Sequence, residues 1–244
     1  MDNVKSKQNV KYILRHLLNF NITDPLATSV RNFSDYTQYF SGDGTSDQIN
    51  YLERTPVTGG RFVVELDGTA TTDFTLDTAA GTITWDGSTD PSDDTDNIKL
   101  QYQTVKPWIY DDDTNLNSSY FPRMTIREID FTNKTSGLGS YQNYNSSAGD
   151  YFTARFRIIV RTKNRSGRRD FTYGGIHYKN MDLTDAISQT VEDYLQTNRF
   201  LTPWKFFDWE VVNSQRIYTE EDNGILRRDI TLDVMYYEKL TGGS

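Results

Sequence analysis

The densest concentration of chemically active side chains is a basic stretch between residues 155 and 169. It holds seven basic residues and no acidic residue. Clustered guanidinium and ammonium groups bind phosphate or pair with carboxylates of a neighbouring subunit, and they also occur as solvated charges that keep an edge strand from aggregating. The sequence leaves these three roles open. The candidate residues for contact with a subunit, a partner or DNA are Arg155, Arg157, Arg161, Lys163, Arg165, Arg168 and Arg169.

Side chains suited to catalysis or metal binding are sparse. The chain has no cysteine and only two histidines, His16 and His177, which excludes cysteine nucleophiles and thiolate metal cages. It also lacks a G-x-S-x-G elbow, a Walker loop and an H-E-x-x-H motif. The acidic run at 86–96 lacks the central glycine and terminal glutamate of an EF-hand, which favours a solvated turn. We therefore expect no enzymatic activity, no cofactor and no metal site.

The net charge of −8 is distributed unevenly along the chain. Nine acidic and two basic residues lie between residues 56 and 105, a net charge of −7, while the rest of the chain is close to neutral. A step in charge of this size indicates a separate module. We therefore divide the chain into an α/β body, residues 1–50 and 107–244, and an inserted acidic antiparallel β-module, residues 51–106.

Alternation of apolar and polar residues predicts short antiparallel strands throughout the module. Asp67-Gly68 and Asp86-Gly87 are typical of tight hairpin turns. We expect one buried side, formed by Phe62, Val64, Leu66, Phe74, Leu76, Ile83, Trp85, Ile98, Leu100 and Tyr102.

The body alternates between helical and strand patterns. Helical spacing of apolar residues predicts helices over 4–20 and 182–195, the second with Asp182 as its N-cap. Strand patterns cover 123–131, 151–162, 204–212 and 225–237, whereas 21–48 is polar and interrupted by Pro25 and by glycines. This order predicts an α+β fold: a mixed or antiparallel β-sheet flanked by helices, with the small all-β unit inserted.

Four segments in succession, 121–129, 152–160, 183–195 and 223–237, resemble the tail terminator and tail-completion proteins of tailed double-stranded DNA viruses. The first helix, ending at residues 17–20, is similar to the helix that opens that fold. The segment 57–85 resembles β-modules that decorate phage structural proteins. The resemblance covers residues 1–20 and about 120–240.

The resemblance implies a non-enzymatic virion protein at the head-proximal end of the tail, made in the host cytoplasm and without a membrane association. Six copies would form a ring that ends the tail tube. Its partners would be further copies of itself, the tail tube protein and the head–tail connector protein, with viral DNA passing through the lumen. The fold would place strands of neighbouring subunits side by side, so 151–162 and its basic tip are candidate intersubunit or lumen elements.

Two other functions remain open. A head-closure or adaptor protein of the same connector would share the ring, and a receptor- or glycan-binding module would use aromatic side chains such as Tyr141, Tyr144 and Tyr151. Aspartate (26) outnumbers glutamate (8) and arginine (16) outnumbers lysine (10). This bias is typical of proteins adapted to high salt and suggests a halophilic archaeal host.

Overall fold

The computed structural model describes residues 7–26, 33–45, 48–86, 89–105, 107–111, 121–134, 149–163, 171–173, 175–178, 180–199, 206–217 and 224–239. Two helices and fourteen strands lie in these ranges, and all strand pairs except one are antiparallel. The protein is therefore α+β, as the sequence predicts. The chain divides into two compact units, the first spanning 15–107 and the second spanning 3–14 and 108–244.

The first unit consists of two antiparallel sheets with a common apolar core. The four-stranded sheet has the order β1-β7-β3-β4, and the three-stranded sheet has the order β2-β6-β5. The strands are β1 (Phe33–Phe40), β2 (Ile49–Tyr51), β3 (Phe62–Leu66), β4 (Thr69–Thr71), β5 (Phe74–Asp77), β6 (Thr82–Trp85) and β7 (Ile98–Val105).

All ten residues predicted for the buried side of the module pack in this core, six of them fully buried and four at its margin. Leu52 joins them. The predicted hairpin turn at Asp67-Gly68 links β3 to β4, and both residues have positive φ angles, 50° and 77°, as a type I′ turn requires.

The first unit begins earlier in the sequence than the module predicted at 51–106. β1 lies within the polar stretch 21–48 and pairs with β7 over its whole length, from Phe33 opposite Val105 to Phe40 opposite Ile98. β2 pairs with β6. The boundary at residue 51 therefore falls inside the unit, whereas its other end at 107 lies next to the predicted residue 106.

The second unit contains a five-stranded sheet of order β13-β14-β10-β9-β8. A separate two-stranded hairpin, β11-β12, precedes the helix α2 (Asn180–Thr197). The strands are β8 (Ile109–Asp111), β9 (Arg123–Lys134), β10 (Gly149–Lys163), β11 (Phe171–Tyr173), β12 (Ile176–Tyr178), β13 (Phe206–Ile217) and β14 (Ile225–Lys239). The single parallel pair joins β8 to β9.

Both predicted helices are present, with shifted ends. In α1 (Lys7–Asn21) the five apolar residues of the predicted stripe are buried: Val10, Ile13, Leu14, Leu17 and Leu18. α2 begins at Asn180, so Asp182 is not its N-cap and lies in the first turn. A carboxylate there still stabilises the helix, because the unpaired N–H groups give that end a partial positive charge.

Candidate interaction surface

The basic stretch begins on the central strand of the five-stranded sheet. β10 pairs with β14 over its whole length and with β9 from Tyr151 to Arg161. Because both of its edges are occupied, β10 offers side chains rather than backbone groups to a partner. The structure therefore does not place strand 151–162 where a neighbouring subunit's strand would pair with it.

Helix α2 covers one face of this sheet. The face is apolar on β10, where Ala154, Phe156, Ile158 and Val160 are buried, as the alternation predicts. α2 contributes the buried residues Leu183, Ile187, Val191 and Leu195, spaced three to four positions apart.

Polar contacts attach α2 to the sheet at both ends. The indole N–H of Trp209 donates to the carbonyl oxygen of Leu195 at 2.6 Å, and the hydroxyls of Thr162 and Thr184 are 2.6 Å apart. Asp185 of the helix pairs with Arg216 and with Arg228, at 3.1 Å for the latter. This side of the sheet is thus occupied within the chain.

The opposite face of the sheet carries mostly charged and polar side chains, and part of it is buried, at Arg123, Thr125, Ile159, Arg161 and Asp229. Alternate residues of paired strands point to the same face, so the strand registers define four rows. In the order β9, β10, β14, β13 these rows are Asp130–Arg155–Asp233–Glu210, Arg127–Arg157–Thr231–Asn213, Thr125–Ile159–Asp229–Gln215 and Arg123–Arg161–Arg227–Ile217.

Carboxylates of β14 neutralise two of the predicted contact residues. Arg155 donates two hydrogen bonds to Asp233, at 2.6 and 2.7 Å, and these bonds raise the pKa of the Arg155 guanidinium. Arg157 lies 3.7 Å from Asp229, which also accepts two hydrogen bonds from Arg227. Both Arg155 and Arg157 remain accessible to solvent, so a partner would meet pairs of opposite charges rather than a uniformly basic surface.

The remaining predicted contact residues fall into separate environments. Arg161 is 3% exposed and donates to the hydroxyl of Thr125 at 3.2 Å. It is therefore a buried residue of this chain, in contrast to the prediction that it contacts a partner or DNA. Lys163 is exposed at the end of β10. Arg165, Arg168 and Arg169 lie outside the described residues.

The acidic partners Asp229 and Asp233 were not identified as site residues from sequence. A signal for them exists in the alternation Arg227-x-Asp229-x-Thr231-x-Asp233, which puts all four side chains on one face of a strand. Pairing this strand with 151–162 in antiparallel register would have placed acids opposite the arginines. The sequence of neither segment alone determines the register in which the two strands pair.

The candidates for metal binding and acid–base chemistry gain no further support. Within the described ranges, no group of three or more histidine, aspartate or glutamate side chains is arranged to hold a metal ion. His16 is buried in the first unit and its Nδ1 lies 2.7 Å from the carbonyl oxygen of Leu52. His177 belongs to β12 in the second unit. Tyr141 and Tyr144 fall outside the described residues, as does the side chain of Tyr151.

No protein-family model matches this chain, and no curated protein matches it either. Among the described residues, neither helix is long and apolar enough to cross a membrane.

Proposed function

We propose that this chain is a structural virion protein of a tailed double-stranded DNA virus. Six copies form a ring that terminates the tail tube and joins the tail to the head connector. One observation carries the proposal: the four segments that resemble tail terminators fold together in one unit. They supply β9, β10, β14 and the helix α2 that packs against the sheet.

The charged face of the five-stranded sheet supports a role in protein contacts. In the outermost of the four rows, Arg155 lies between the carboxylates of Asp130 and Asp233, so this part of the face offers both donors and acceptors. Complementary charges fix the register of a partner more than they increase affinity. Among the described members of the predicted set, Arg155 and Lys163 are exposed and Arg157 is partly exposed. In this proposal they contact a neighbouring copy, the tail tube protein or the connector protein, and DNA passes through the ring.

The proposal assigns no catalytic residue, cofactor or metal ion to the chain. β10 is the central strand of the five-stranded sheet, so strand-to-strand contacts between subunits of the proposed tail-terminator-like ring involve other strands. In this proposal the acidic first unit corresponds to the β-modules that decorate phage structural proteins. A virion position at the head-proximal end of the tail follows from the ring, and a halophilic archaeal host follows from the aspartate-rich composition.

The role of the charged face is tested with two single charge reversals. Lys163→Glu changes an exposed residue of the second unit, and Arg61→Glu makes the same change at an exposed residue of the first unit. We expect Lys163→Glu to reduce ring formation in mass photometry while Arg61→Glu leaves it unchanged. If both variants form the ring to the same extent as the unmodified chain, Lys163 does not lie in the interface.

DNA contact is tested separately, by titrating a short duplex at several salt concentrations. A face that binds phosphates releases counterions, so its affinity falls steeply with salt and Lys163→Glu lowers the slope by about one. Binding that is absent at low salt would exclude the lumen-lining role for this face.

A further inference from the structure

The outer edge of β1 is unusually long and regular for this chain. β1 borders its four-stranded sheet and, within the described residues, pairs with β7 alone in an unbroken register of eight residues. The other described edge strands are three or four residues long, as in β2, β4, β5 and β8, or carry two register shifts, as in β13. Short length and irregular register are the features that keep sheet edges from pairing with other chains.

β1 has few of the residues that protect a sheet edge. Its sequence, FSDYTQYF, contains no lysine and no proline, and its single charged residue is Asp35. Phe33 and Tyr39 are 58% and 54% exposed, on the same face of the strand as Asp35 and Thr37. An edge of this kind is a template for the addition of another strand.

The sequence of β1 is complementary to itself. When a second β1 is placed antiparallel with Tyr36 opposite Tyr36, Phe33 lies opposite Tyr39 and Asp35 lies opposite Thr37, each pair occurring twice. Aromatic pairs directly opposite each other stabilise antiparallel strands, and a threonine hydroxyl can donate a hydrogen bond to the carboxylate opposite it. This register also keeps the two Asp35 carboxylates from facing each other.

We propose that β1 binds a second copy of this chain by antiparallel strand pairing about a twofold axis at Tyr36. The contact joins two four-stranded sheets into one sheet of eight strands. It uses the first unit only and is isologous, with the same edge contributed by both copies. It is therefore a different contact from those that close the proposed ring, and neither depends on the other.

Charge sets the conditions under which this pairing occurs. Residues 15–107 contain six basic and fourteen acidic residues, a net charge of −8, so two first units repel each other. A single strand edge is a small interface of the kind found in weak, reversible complexes. Because salt screens the repulsion, pairing strengthens as the salt concentration rises.

Engineered cysteines test the register directly, since the chain has no cysteine of its own. Directly opposed residues of antiparallel strands have Cα atoms about 4.5–5.5 Å apart, within reach of a disulfide. The double variant Asp35→Cys/Thr37→Cys should therefore form a covalent dimer on mild oxidation in high salt, seen on a non-reducing gel.

The two single variants are the matched controls. With the axis at Tyr36, Asp35 of one copy lies about 8 Å from Asp35 of the other, beyond disulfide reach, and the same holds for Thr37. Neither Asp35→Cys nor Thr37→Cys alone should give a dimer. A dimer from either single variant would overturn the proposed register, and absence of a dimer from the double variant would overturn the pairing.

A pair of opposite charge changes at Thr37 tests the contact without cysteines. Thr37 is exposed and faces the neutral Gln101 within the chain, so both changes preserve the fold. Thr37→Lys places two lysines opposite two Asp35 carboxylates, and Thr37→Glu places two glutamates there. In sedimentation equilibrium the pairing constant should rise with Lys and fall with Glu, each by about 2- to 30-fold.

Equal constants for the two Thr37 variants would overturn the proposal. Ring formation is scored separately, by the sixfold particle in images of the same samples. Loss of the ring with intact cross-linking would refute the ring alone, and a ring without cross-linking would refute the β1 contact alone.

Discussion

Mild acid should destabilise the first unit through His16. The side chain is 3% exposed, and its Nδ1–H donates to the carbonyl oxygen of Leu52 at 2.7 Å. The rings of Phe20 and Tyr51 lie beside it, with ring centroids 4.8 and 5.1 Å away. Burial lowers the pKa of His16 to about 4 from 6.5, and the hydrogen bond to Leu52 opposes part of that effect.

The sign and size of the effect follow from linkage. The unfolded chain binds the proton near pH 6.5 and the folded chain only near pH 4, so the stability associated with neutral His16 is complete above pH 6.5. It is lost as the pH falls from 6.5 to 4. The loss is about 2 kcal/mol at pH 5 and about 3 kcal/mol at pH 4.

The assay is urea unfolding followed by circular dichroism between pH 4.5 and 8, with His16→Asn as the reference. The asparagine amide sits near the position of Nδ1 and keeps a donor for Leu52 but does not titrate. The neighbouring ion pair between Arg15 and Glu53, at 2.7 Å, is present in both proteins. The stability difference between them should shrink or reverse as the pH falls. A difference that is constant over this range would refute the burial of a neutral His16.

Five substitutions, two in the first unit and three in the second, test the internal contacts of the units by chemical denaturation. Gly81 has a φ of +67°, and an added Cβ would overlap the ring of Phe20. Gly81→Ala should therefore lower the free energy of unfolding by about 2–4 kcal/mol. Its control is Gly59→Ala, where φ is +71° and the surrounding space is open, and this change should cost only about 1 kcal/mol. Trp209→Phe removes the donor to the buried carbonyl of Leu195 and should cost about 1–3 kcal/mol, and an unchanged midpoint would show that this bond contributes nothing. Asp229 is 2% exposed and lies between Arg157 and Arg227, so Asp229→Ala should lower the free energy of unfolding by about 3 kcal/mol. Its control is Asp233→Ala, which removes the partner of the exposed Arg155 and should leave the unfolding midpoint unchanged.

Sequence patterns identified the elements whose two faces differ clearly in polarity. In β7 the alternation of Ile98, Leu100 and Tyr102 with polar residues matches the alternation of buried and partly buried positions. In β10 the predicted face is buried at Ala154, Phe156, Ile158 and Val160, although Ile159 on the other face is buried as well. The apolar stripe of α2 is buried at Leu183, Ile187, Val191 and Leu195. Burial on one face is what generates the pattern, so it can be recognised without knowing the partner of the element.

β1 was missed because a polar residue occupies its buried side. Gln38 is buried, and its side-chain amide donates to the carbonyl of Tyr51 at 3.1 Å and accepts from the N–H of Glu53 at 3.1 Å. At the same time Phe33 and Tyr39 are exposed. Because a polar side chain is buried and two aromatic side chains are exposed, the sequence of β1 does not show the usual alternation of polarity. The strand becomes evident only from its pairing with β7.

The chemistry of the basic stretch depended on residues far away in the sequence. Arg155 is 78 residues from its partner Asp233, and Arg161 is 36 residues from Thr125. Which arginine meets a carboxylate and which is buried is decided by the registers of β10 with β14 and β9. A local count of charges contains no information about these registers, so it placed all seven basic residues in one candidate set.

The oligomeric state of the intact chain tests the proposed function most directly. Electron microscopy of the purified protein should show a ring of six copies. In images of virus particles, a label attached to this chain should lie at the head-proximal end of the tail. A chain that stays monomeric at all concentrations would contradict the ring, and a twelvefold ring beside the portal would instead identify a head-closure or adaptor protein.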